Sequence, residues 1–353
     1  MKLDPSFWND KRVLLTGHTG FKGSWLSLLL ARMGSEVTGL SLSPPSKPNL
    51  FELAGVQKSL SSQYIADIND YAKVKNVFLD TKPDVVIHLA AQSLVRRSYA
   101  SPIETFSTNV LGTVHVLEAV RMAQPQVALF ATTDKVYSQL GTRQPFRETD
   151  PLGGHDPYSA SKAACEIAVE SLRKSLLSEA STKVATARAG NVIGGGDWAE
   201  DRLLPDAIRA WSSGDVLTVR NPDSVRPWQH VLDCLAGYLV LVQGLWDGTV
   251  EQGAYNFGPR NGDDSTVSKT VELAQTVWGD KAQVDWQSRQ VGPHESTTLL
   301  LNTDKATTTL GIEPRWTHED AVTRTIRWYR GFYQGLAPRD LCEEDFAEFG
   351  LSK

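Results

Sequence analysis

The sequence predicts an α/β fold with a doubly wound parallel sheet and a smaller C-terminal α/β domain. Short apolar runs alternate with longer amphipathic stretches through the first half of the chain. Each run is continuous rather than alternating, which is typical of strands buried on both faces of a sheet. A glycine-rich stretch, Gly17–Gly23, separates the first run from the first amphipathic stretch. Such strand–helix alternation favours a parallel sheet with helices on both faces.

The predicted elements of the first half alternate from strand to helix and end on a strand. The predicted strands are Arg12–Thr16, Glu36–Ser41, Asp84–Leu89, Val127–Thr132 and Val184–Arg188. The predicted helices are Phe21–Met33, Asp70–Asp80, Ile103–Ala123 and Tyr158–Leu177. Gly34 and Pro83 follow the first two helices and are typical stop signals. Right-handed crossovers between these strands give the doubly wound arrangement.

The composition of the sequence changes after Arg188, where prolines, most tryptophans and the triplet Gly194–Gly196 appear. This change predicts a dinucleotide-sized first domain over residues 1–190 and a smaller domain over 191–353, interleaved with the first. The apolar segment near 228–250 is predicted to return to the first domain. Ligands of open α/β sheets bind at the carboxyl edge of the strands, which the second domain would cover.

Composition excludes several functional classes. The 353 residues carry a net charge of −5, which disfavours a general nucleic-acid binder. Three dispersed cysteines and seven histidines show no disulfide framework or metal-ligand spacing, so we predict a reducing cytoplasm and no metal site. No apolar run approaches the roughly 20 residues of a membrane span. The acidic stretch Cys342–Glu348 is predicted to be solvated or loosely docked.

The glycine-rich stretch reads GxxGxxG between a predicted strand and a predicted helix. Glycines there allow a tight turn and close approach of a pyrophosphate to the helix N-terminus, which predicts a Rossmann-type dinucleotide site. Its candidate binding residues are Gly17, Thr19, Gly20, Phe21, Lys22 and Gly23. The region Ser41–Lys47 has no acid for the ribose, so NAD and NADP remain open. Asp67 and Ile68 are candidates for adenine contact, although Asp67 also fits an ordinary turn.

A tyrosine and a lysine four residues apart, Tyr158 and Lys162, share one face of a predicted helix. A lysine in that position can lower the pKa of the tyrosine and create a base that works near neutral pH. Tyr71 and Lys75 have the same spacing on an early, solvated helix, and we interpret that copy as chance. Tyr158 differs because it follows a strand that ends in hydroxyls and charges, Thr132–Lys135.

Two features resemble the extended short-chain dehydrogenase/reductase superfamily: the glycine-rich fingerprint and a threonine–tyrosine–lysine set. The set consists of Thr133, Tyr158 and Lys162, and Asn109 within Thr108–Thr113 accompanies it. The resemblance covers about residues 8–330. It implies NAD as the cofactor, with Leu89, Ala90, Ala91 and Asn109 among its contacts.

Within that superfamily, the string Thr133–Tyr137 resembles the nucleotide-sugar 4,6-dehydratases. Most of them have Asp-Glu where this chain has Asp134-Lys135. The lysine and three longer strings are similar to the members that act on CDP-glucose: Gly153–Tyr158, Arg188–Trp198 and Arg226–His230. The resemblance implies conversion of CDP-glucose to CDP-4-keto-6-deoxyglucose in deoxysugar biosynthesis, and a homodimer formed through the helices Ile103–Ala123 and Tyr158–Leu177.

The resemblance also implies roles for the candidate catalytic residues. Tyr158 would take the proton of the sugar 4-hydroxyl, Thr133 would bind the developing oxyanion, and Lys162 would support both the tyrosinate and the cofactor ribose. Asp134 would protonate the leaving 6-hydroxyl, although a cationic Lys135 opposes its holding a proton. Lys135 is therefore either the C5 base, a stabiliser of the enolate, or only the ion-pair partner of Asp134.

The substrate end of the site rests on weaker signals, chiefly arginines, which bind phosphates well. Arg226 and Arg209 are candidate diphosphate ligands, and Arg220 is a candidate for the nucleotide pocket. The other candidate substrate residues are Gln92, Ser93, Asn191 and His294. Two alternatives stay open: a dehydratase or 4-epimerase for another nucleotide sugar, and a non-catalytic NAD-sensing protein. A non-catalytic NAD-sensing protein should have lost Tyr158 or Lys162, yet both are present.

Overall fold

The structure is a computed structural model that describes residues 2–138, 144–260, 262–287 and 298–351. Its strands are β1 (Arg12–Thr16), β2 (Glu36–Ser41), β3 (Ser62–Ile65), β4 (Val85–His88), β5 (Val127–Ala131), β6 (Lys183–Ala189), β7 (Asn191–Ile193), β8 (Val216–Val219), β9 (Val225–Arg226), β10 (Trp228–His230), β11 (Gly253–Phe257), β12 (Ser265–Thr266) and β13 (Gln283–Trp286). Its α-helices are α1 (Phe21–Arg32), α2 (Leu50–Leu53), α3 (Tyr71–Thr81), α4 (Val95–Ala100), α5 (Pro102–Phe106), α6 (Gly112–Ala123), α7 (Pro157–Lys174), α8 (Leu203–Ser213), α9 (Val231–Trp246), α10 (Val267–Trp278), α11 (Asp304–Leu310), α12 (His318–Tyr333) and α13 (Pro338–Glu348).

A seven-stranded parallel sheet in the order β11-β6-β5-β4-β1-β2-β3 forms the centre of the molecule. The five predicted strands and the doubly wound arrangement are confirmed. The sheet also contains β3 and β11, which the apolar pattern did not reveal. β3 is a half-buried edge strand, Ser-Gln-Tyr-Ile, and β11 begins with Gly253 and Ala254, so neither carries a long apolar run.

The direction of winding reverses between β1 and β4, which are hydrogen-bonded neighbours. The chain proceeds from β1 to β2 and β3 on one side, and from β4 to β5 and β6 on the other. The loops after β1 and β4 are joined at this point, because the amides of Leu89 and Ala90 each donate to Thr16 Oγ1 at 3.1 Å. Open α/β sheets bind ligands in the crevice outside such a switch point.

Helices cover both faces of the sheet. α3, α6 and α7 pack together on one face, whereas α1 and α9 pack together on the other. α9 is buried along most of its length and lies against β5 and β6, and β11 follows it into the sheet. The chain therefore comes back to the sheet after residue 230. α8, α10 and α12 pack with one another beside the β8–β13 pair.

The predicted helix Ile103–Ala123 is interrupted in the structure. α5 is followed by a π-helical turn over Ser107–Leu111, and α6 continues from it. Asn109 lies in the π turn, is fully buried, and exchanges side-chain hydrogen bonds with the backbone of Gln92. π turns are common at functional sites, where the extra residue redirects a side chain. Asn109 is redirected in this way toward the loop after β4.

The acidic C-terminal stretch is docked, so the prediction of a solvated or loose end is wrong. It forms α13, in which Leu341, Cys342 and Phe346 are buried on one face. Glu343 forms an ion pair with Arg32 of α1. Among the acidic side chains that suggested a solvated tail, Glu344 and Glu348 are exposed and Glu343 is partly exposed, whereas Asp345 is buried. None of the helices in the described ranges is both long enough and apolar enough to cross a bilayer.

Candidate active site

The glycine-rich turn connects β1 to α1 at the switch point. Gly17 has φ +77°, and a Cβ there would lie 2.7 Å from the amide nitrogen of Ala90. A Cβ on Gly23 would overlap the carbonyl of Gly17, so two of the three glycines are sterically required. Gly20 is the N-cap of α1, and no side chain of the described residues caps that helix. The turn thus presents an uncapped helix N-terminus, which suits a phosphate.

The other candidate cofactor residues surround this turn. Thr19 contacts the end of β2 through Ser41 Oγ at 2.8 Å and the carbonyl of Leu42 at 2.8 Å. Asp67 accepts from the amide of Asn69 at 2.9 Å, which is the turn geometry that its sequence also suggested. Ile68 is buried against Gly112 of α6. These contacts leave the adenine role of Asp67 and Ile68 a prediction.

Tyr158 and Thr133 meet at the carboxyl end of β5. Tyr158 lies in the first turn of α7, and its hydroxyl shares a hydrogen bond with Thr133. Burial raises the pKa of Tyr158 to about 12, while the hydrogen bond with Thr133 acts in the opposite direction. Lys162 is buried one turn later and donates to the carbonyl of Ala131 at 3.1 Å. Burial lowers the pKa of Lys162, because the charged amine loses hydration.

Asp134 and Lys135 form a contact pair beside Thr133. Asp134 is completely buried, and its Oδ1 accepts from Thr133 Oγ1 at 3.0 Å and from Lys135 Nζ at 3.2 Å. Its Oδ2 has no hydrogen-bond donor among the described residues. Lys135 reaches the cavity. A buried carboxyl group with an unfilled oxygen, joined to a lysine, can both give and take a proton.

A cavity of about 410 Å³ lies between the sheet edge and the second half of the chain. Its size falls within the usual range for small-molecule sites. Thr133, Lys135 and Tyr158 line it on the sheet side. The predicted substrate residues that also line it are Ser93, Asn191, Arg220 and Arg226. Asn191 Oδ1 is buried and lacks a donor in the part of the chain that the structure describes, so it is available to a ligand.

Two predicted substrate residues, Arg209 and Gln92, are not among the residues that line this cavity. The guanidinium of Arg209 donates to the carbonyls of Trp198 and Ala199 and pairs with Asp206. The side chain of Gln92 is turned inward and donates to the carbonyl of Leu94 and to Thr105. His294 lies outside the described residues. The sequence alone could not show that Arg209 is occupied within the protein, because its acceptors are backbone carbonyls of a neighbouring loop.

The cavity also contains two arginines that sequence reasoning missed, Arg96 and Arg202. Arg202 pairs with Asp197 at 2.7 Å and donates to Ser93 at 3.2 Å. Arg96 pairs with Asp201 at 3.3 Å. The Arg202–Ser93 and Arg96–Asp201 contacts join the segment after β4, including α4, to the loop before α8. The adjacent arginines Arg96 and Arg97 follow shortly after β4, and this position in the sequence could have identified Arg96 as a candidate.

Comparison with known proteins agrees with this geometry. The family model described as GDP-mannose 4,6 dehydratase matches residues 14–325. A CDP-glucose 4,6-dehydratase of Salmonella typhimurium is 44% identical over 342 residues, covering 94% of this chain and 94% of the relative. A dTDP-glucose 4,6-dehydratase of Xanthomonas campestris is 30% identical and covers 90% of this chain and 92% of the relative.

Among solved structures, a UDP-glucose 4-epimerase of Thermus thermophilus in complex with NAD is similar. It has a TM-score of 0.76 and 25% identity, covering 91% of this chain and 99% of that one. The likeness extends over the sheet and over the second half of the chain. With a family model matched over most of its length and a relative 44% identical, this chain belongs to the GDP-mannose 4,6 dehydratase family of the extended short-chain dehydrogenase/reductase superfamily.

Proposed function

We propose that this protein is an NAD-dependent 4,6-dehydratase that converts CDP-glucose to CDP-4-keto-6-deoxyglucose, a step of deoxysugar biosynthesis. One observation carries the proposal: Lys135 lines the same cavity as Thr133 and Tyr158, and the buried Asp134 contacts both Lys135 and Thr133. Oxidation at C4 needs only a base and an oxyanion donor. Removal of water across C5 and C6 needs a further base and acid. The name of the 44% identical relative supports CDP-glucose as the substrate.

NAD fits the residues at the switch point. The cradle that a Cβ would fill at Gly17 and Gly23, with the uncapped N-terminus of α1, would hold its diphosphate. Tyr158 and Lys162 would face its nicotinamide ribose, and the solved neighbour with NAD has the same fold. When bound, NAD supplies the chemistry that takes the C4 hydride and returns it to C6.

Tyr158 and its neighbours start the reaction. The ionised Tyr158 oxygen takes the proton of the 4-hydroxyl, and Thr133 donates a hydrogen bond to the oxygen on which charge develops. Lys162, held by the carbonyl of Ala131, places a positive charge beside the tyrosinate. Burial raises the pKa of Tyr158, and the hydrogen bond with Thr133 and the charge of Arg202 oppose that rise. The resulting 4-ketone acidifies the proton on C5.

Asp134 and Lys135 then remove water. A single proton moving across their 3.2 Å contact turns the ion pair into a neutral amine and a neutral carboxyl group. The Lys135 amine takes the C5 proton, and Asp134 gives its proton to the 6-hydroxyl as the C6–O bond breaks and water leaves. Lys135 returns a proton to C5 when the hydride reaches C6. Asp134 has then given up one proton, which left in the water molecule, and Tyr158 has gained one from the 4-hydroxyl. Exchange of these protons with solvent restores both residues to their starting states.

A nucleotide-sugar panel tests the proposal. The purified protein is incubated with NAD and, separately, with CDP-glucose, dTDP-glucose, UDP-glucose and GDP-mannose, and each product is analysed by mass spectrometry. We expect CDP-glucose to lose one water with the highest kcat/KM. Loss of water from another sugar alone would overturn the substrate, and a changed sugar of unchanged mass would identify an epimerase instead.

We also infer that the protein forms a homodimer through the helices after β4 and β5. Large apolar side chains are exposed there without a neighbour from the described residues to cover them. They are Ile103 (84% exposed), Phe106, Leu111 and Ile167 (60% exposed). Light scattering should give a dimer mass for the wild type and a monomer mass for the double variant Ile103→Lys, Ile167→Lys. A wild-type monomer at assay concentrations would overturn this inference.

A further inference from the structure

A buried ion pair lies behind the catalytic turn, on the side away from the substrate cavity. Its partners are Glu166 of α7 and Arg188 of β6, whose charged atoms are 2.9 Å apart and almost inaccessible to solvent. Neither residue lines the substrate cavity. Two charges are costly to bury unless further hydrogen bonds satisfy them, so the bonds that they make are informative.

Glu166 binds the start of the catalytic turn. One carboxylate oxygen accepts a short hydrogen bond from Thr132 Oγ1, the residue before Thr133. The other oxygen accepts from Thr186 Oγ1 at 2.8 Å and from Arg188 Nη2 at 2.9 Å. Three donors from β6 and the β5 loop therefore converge on one carboxylate. Glu166 is also one helical turn after Lys162, so α7 fixes both residues together.

Arg188 binds the end of the same turn. Its Nη1 donates to the hydroxyl of Tyr137 at 3.0 Å and to the carbonyl of Glu148 at 3.1 Å. The Tyr137 hydroxyl in turn donates to Asn256 Oδ1 of β11 at 2.5 Å. The ring of Tyr137 stacks on Phe146 with centroids 4.9 Å apart. The two ends of the turn, Thr132 and Tyr137, are thus attached to a single ion pair.

We propose that the Glu166–Arg188 pair is a positioning device that fixes the turn Thr132–Tyr137, so that Asp134 and Lys135 are held against the sugar during elimination. This inference rests on the proposed function. Lys162 also has an acceptor outside the ion pair, the carbonyl of Ala131. Loosening the ion pair should therefore disturb the acid–base pair more than the Tyr158–Lys162 base. Misplacement of reacting groups by about 1 Å can cost about 100-fold in rate.

The test compares Glu166→Gln and Thr132→Val with two controls, Glu170→Gln on the exposed face of α7 and Thr132→Ser, which keeps the hydroxyl. We expect Glu166→Gln and Thr132→Val each to lower kcat by about 10- to 100-fold with KM within about threefold. Because oxidation should proceed while elimination is slowed, bound reduced nicotinamide should accumulate in single turnovers and be visible by its near-ultraviolet absorbance. Both controls should stay within about twofold of wild type.

Two further readouts separate this role from simple destabilisation. The double variant Glu166→Gln, Thr132→Val should be no slower than the worse single variant, because both act through one contact. Amide hydrogen exchange should rise in the peptide containing Thr133–Val136 but not in α7. Single variants with unchanged kcat, or additive effects without reduced-nicotinamide accumulation, would overturn the proposal. If the wild type dehydrates no sugar, the proposed function fails, and unchanged exchange in the turn would still overturn the positioning role.

Discussion

The two sides of the catalytic turn differ in how their polar groups are used. Asn191 lines the cavity, and its Oδ1 is buried without a donor from the described residues; Oδ2 of Asp134, which contacts the cavity residues Thr133 and Lys135 but does not itself line the cavity, also lacks such a donor. On the other side, both oxygens of Glu166 are occupied by protein donors. A buried acceptor without a donor is costly. The difference indicates that Asn191 on the cavity side is completed by a ligand, whereas the carboxylate of Glu166 is completed by the fold itself.

Replacement of the proposed base gives the largest expected effect. Tyr158→Phe should lower kcat by about 10²- to 10⁴-fold, because it removes the group proposed to take the proton of the 4-hydroxyl. NAD affinity, measured by fluorescence titration, should change little, since the glycine-rich turn is untouched. Tyr71→Phe is the matched control, because Tyr71 and Lys75 repeat the spacing on α3 while Tyr71 contacts Met122. Survival of activity in Tyr158→Phe would contradict the assignment.

Lys135→Met should separate elimination from oxidation. Without the amine, exchange of the C5 proton with deuterated solvent should fall by about 100-fold, in the range of a lost general base. Bound reduced nicotinamide should still form from CDP-glucose, because Tyr158, Thr133 and Lys162 remain. Nuclear magnetic resonance at C5 measures the exchange. Exchange at the wild-type rate would mean that Lys135 only pairs with Asp134.

Two arginines test whether cavity placement predicts substrate binding. Arg226→Ala should raise KM for CDP-glucose by about 10- to 100-fold, as expected for loss of a charged hydrogen bond to a phosphate. Arg209→Ala should leave KM within about twofold, because its guanidinium is already bound to Trp198, Ala199 and Asp206. Steady-state kinetics measure both. Equal effects of the two substitutions on KM would show that placement at the cavity does not predict substrate binding.

Substitution of Asp345 has the smallest expected effect. It tests whether a buried oxygen without a donor always marks a ligand site. Oδ2 of Asp345 is buried without a donor in the described ranges, yet this residue does not line the substrate cavity. Burial raises its pKa to about 7, above the roughly 3.9 of an unfolded chain. The folded state therefore holds an extra proton between about pH 4 and 7, and stability from this group is lost as pH rises through that window.

Asp345→Asn should remove the loss of stability with rising pH, because the asparagine side chain does not ionise. The Tm of the variant relative to wild type should increase by several degrees, on the order of 5 °C, between pH 4 and pH 8. Activity should be unchanged. Glu344→Gln, on the exposed face of α13, should show no such pH-dependent difference in Tm. A difference in Tm that is constant with pH would show that Asp345 is ionised throughout.

Local patterns predicted the sheet side of the site, because each piece is contiguous. The GxxGxxG turn, the Tyr158–Lys162 spacing and the string Thr133–Tyr137 each lie within a few residues of a strand end, where parallel topology brings them together. The substrate side depends on distant segments. Ser93 and Arg202 meet across 109 residues, and no local pattern announces that contact. Neither Arg209 nor Gln92 lines the cavity, because Arg209 donates to the carbonyls of Trp198 and Ala199 and Gln92 donates to the carbonyl of Leu94 and to Thr105.

The position of an isotope gives the most direct test of the central claim that one cavity oxidises, dehydrates and reduces the same sugar. CDP-glucose carrying deuterium at C4 is converted in ordinary water with bound NAD, and the product is analysed by nuclear magnetic resonance. We expect deuterium on C6 and a solvent-derived proton on C5. Deuterium that is lost to solvent, or that stays on C4, would contradict it.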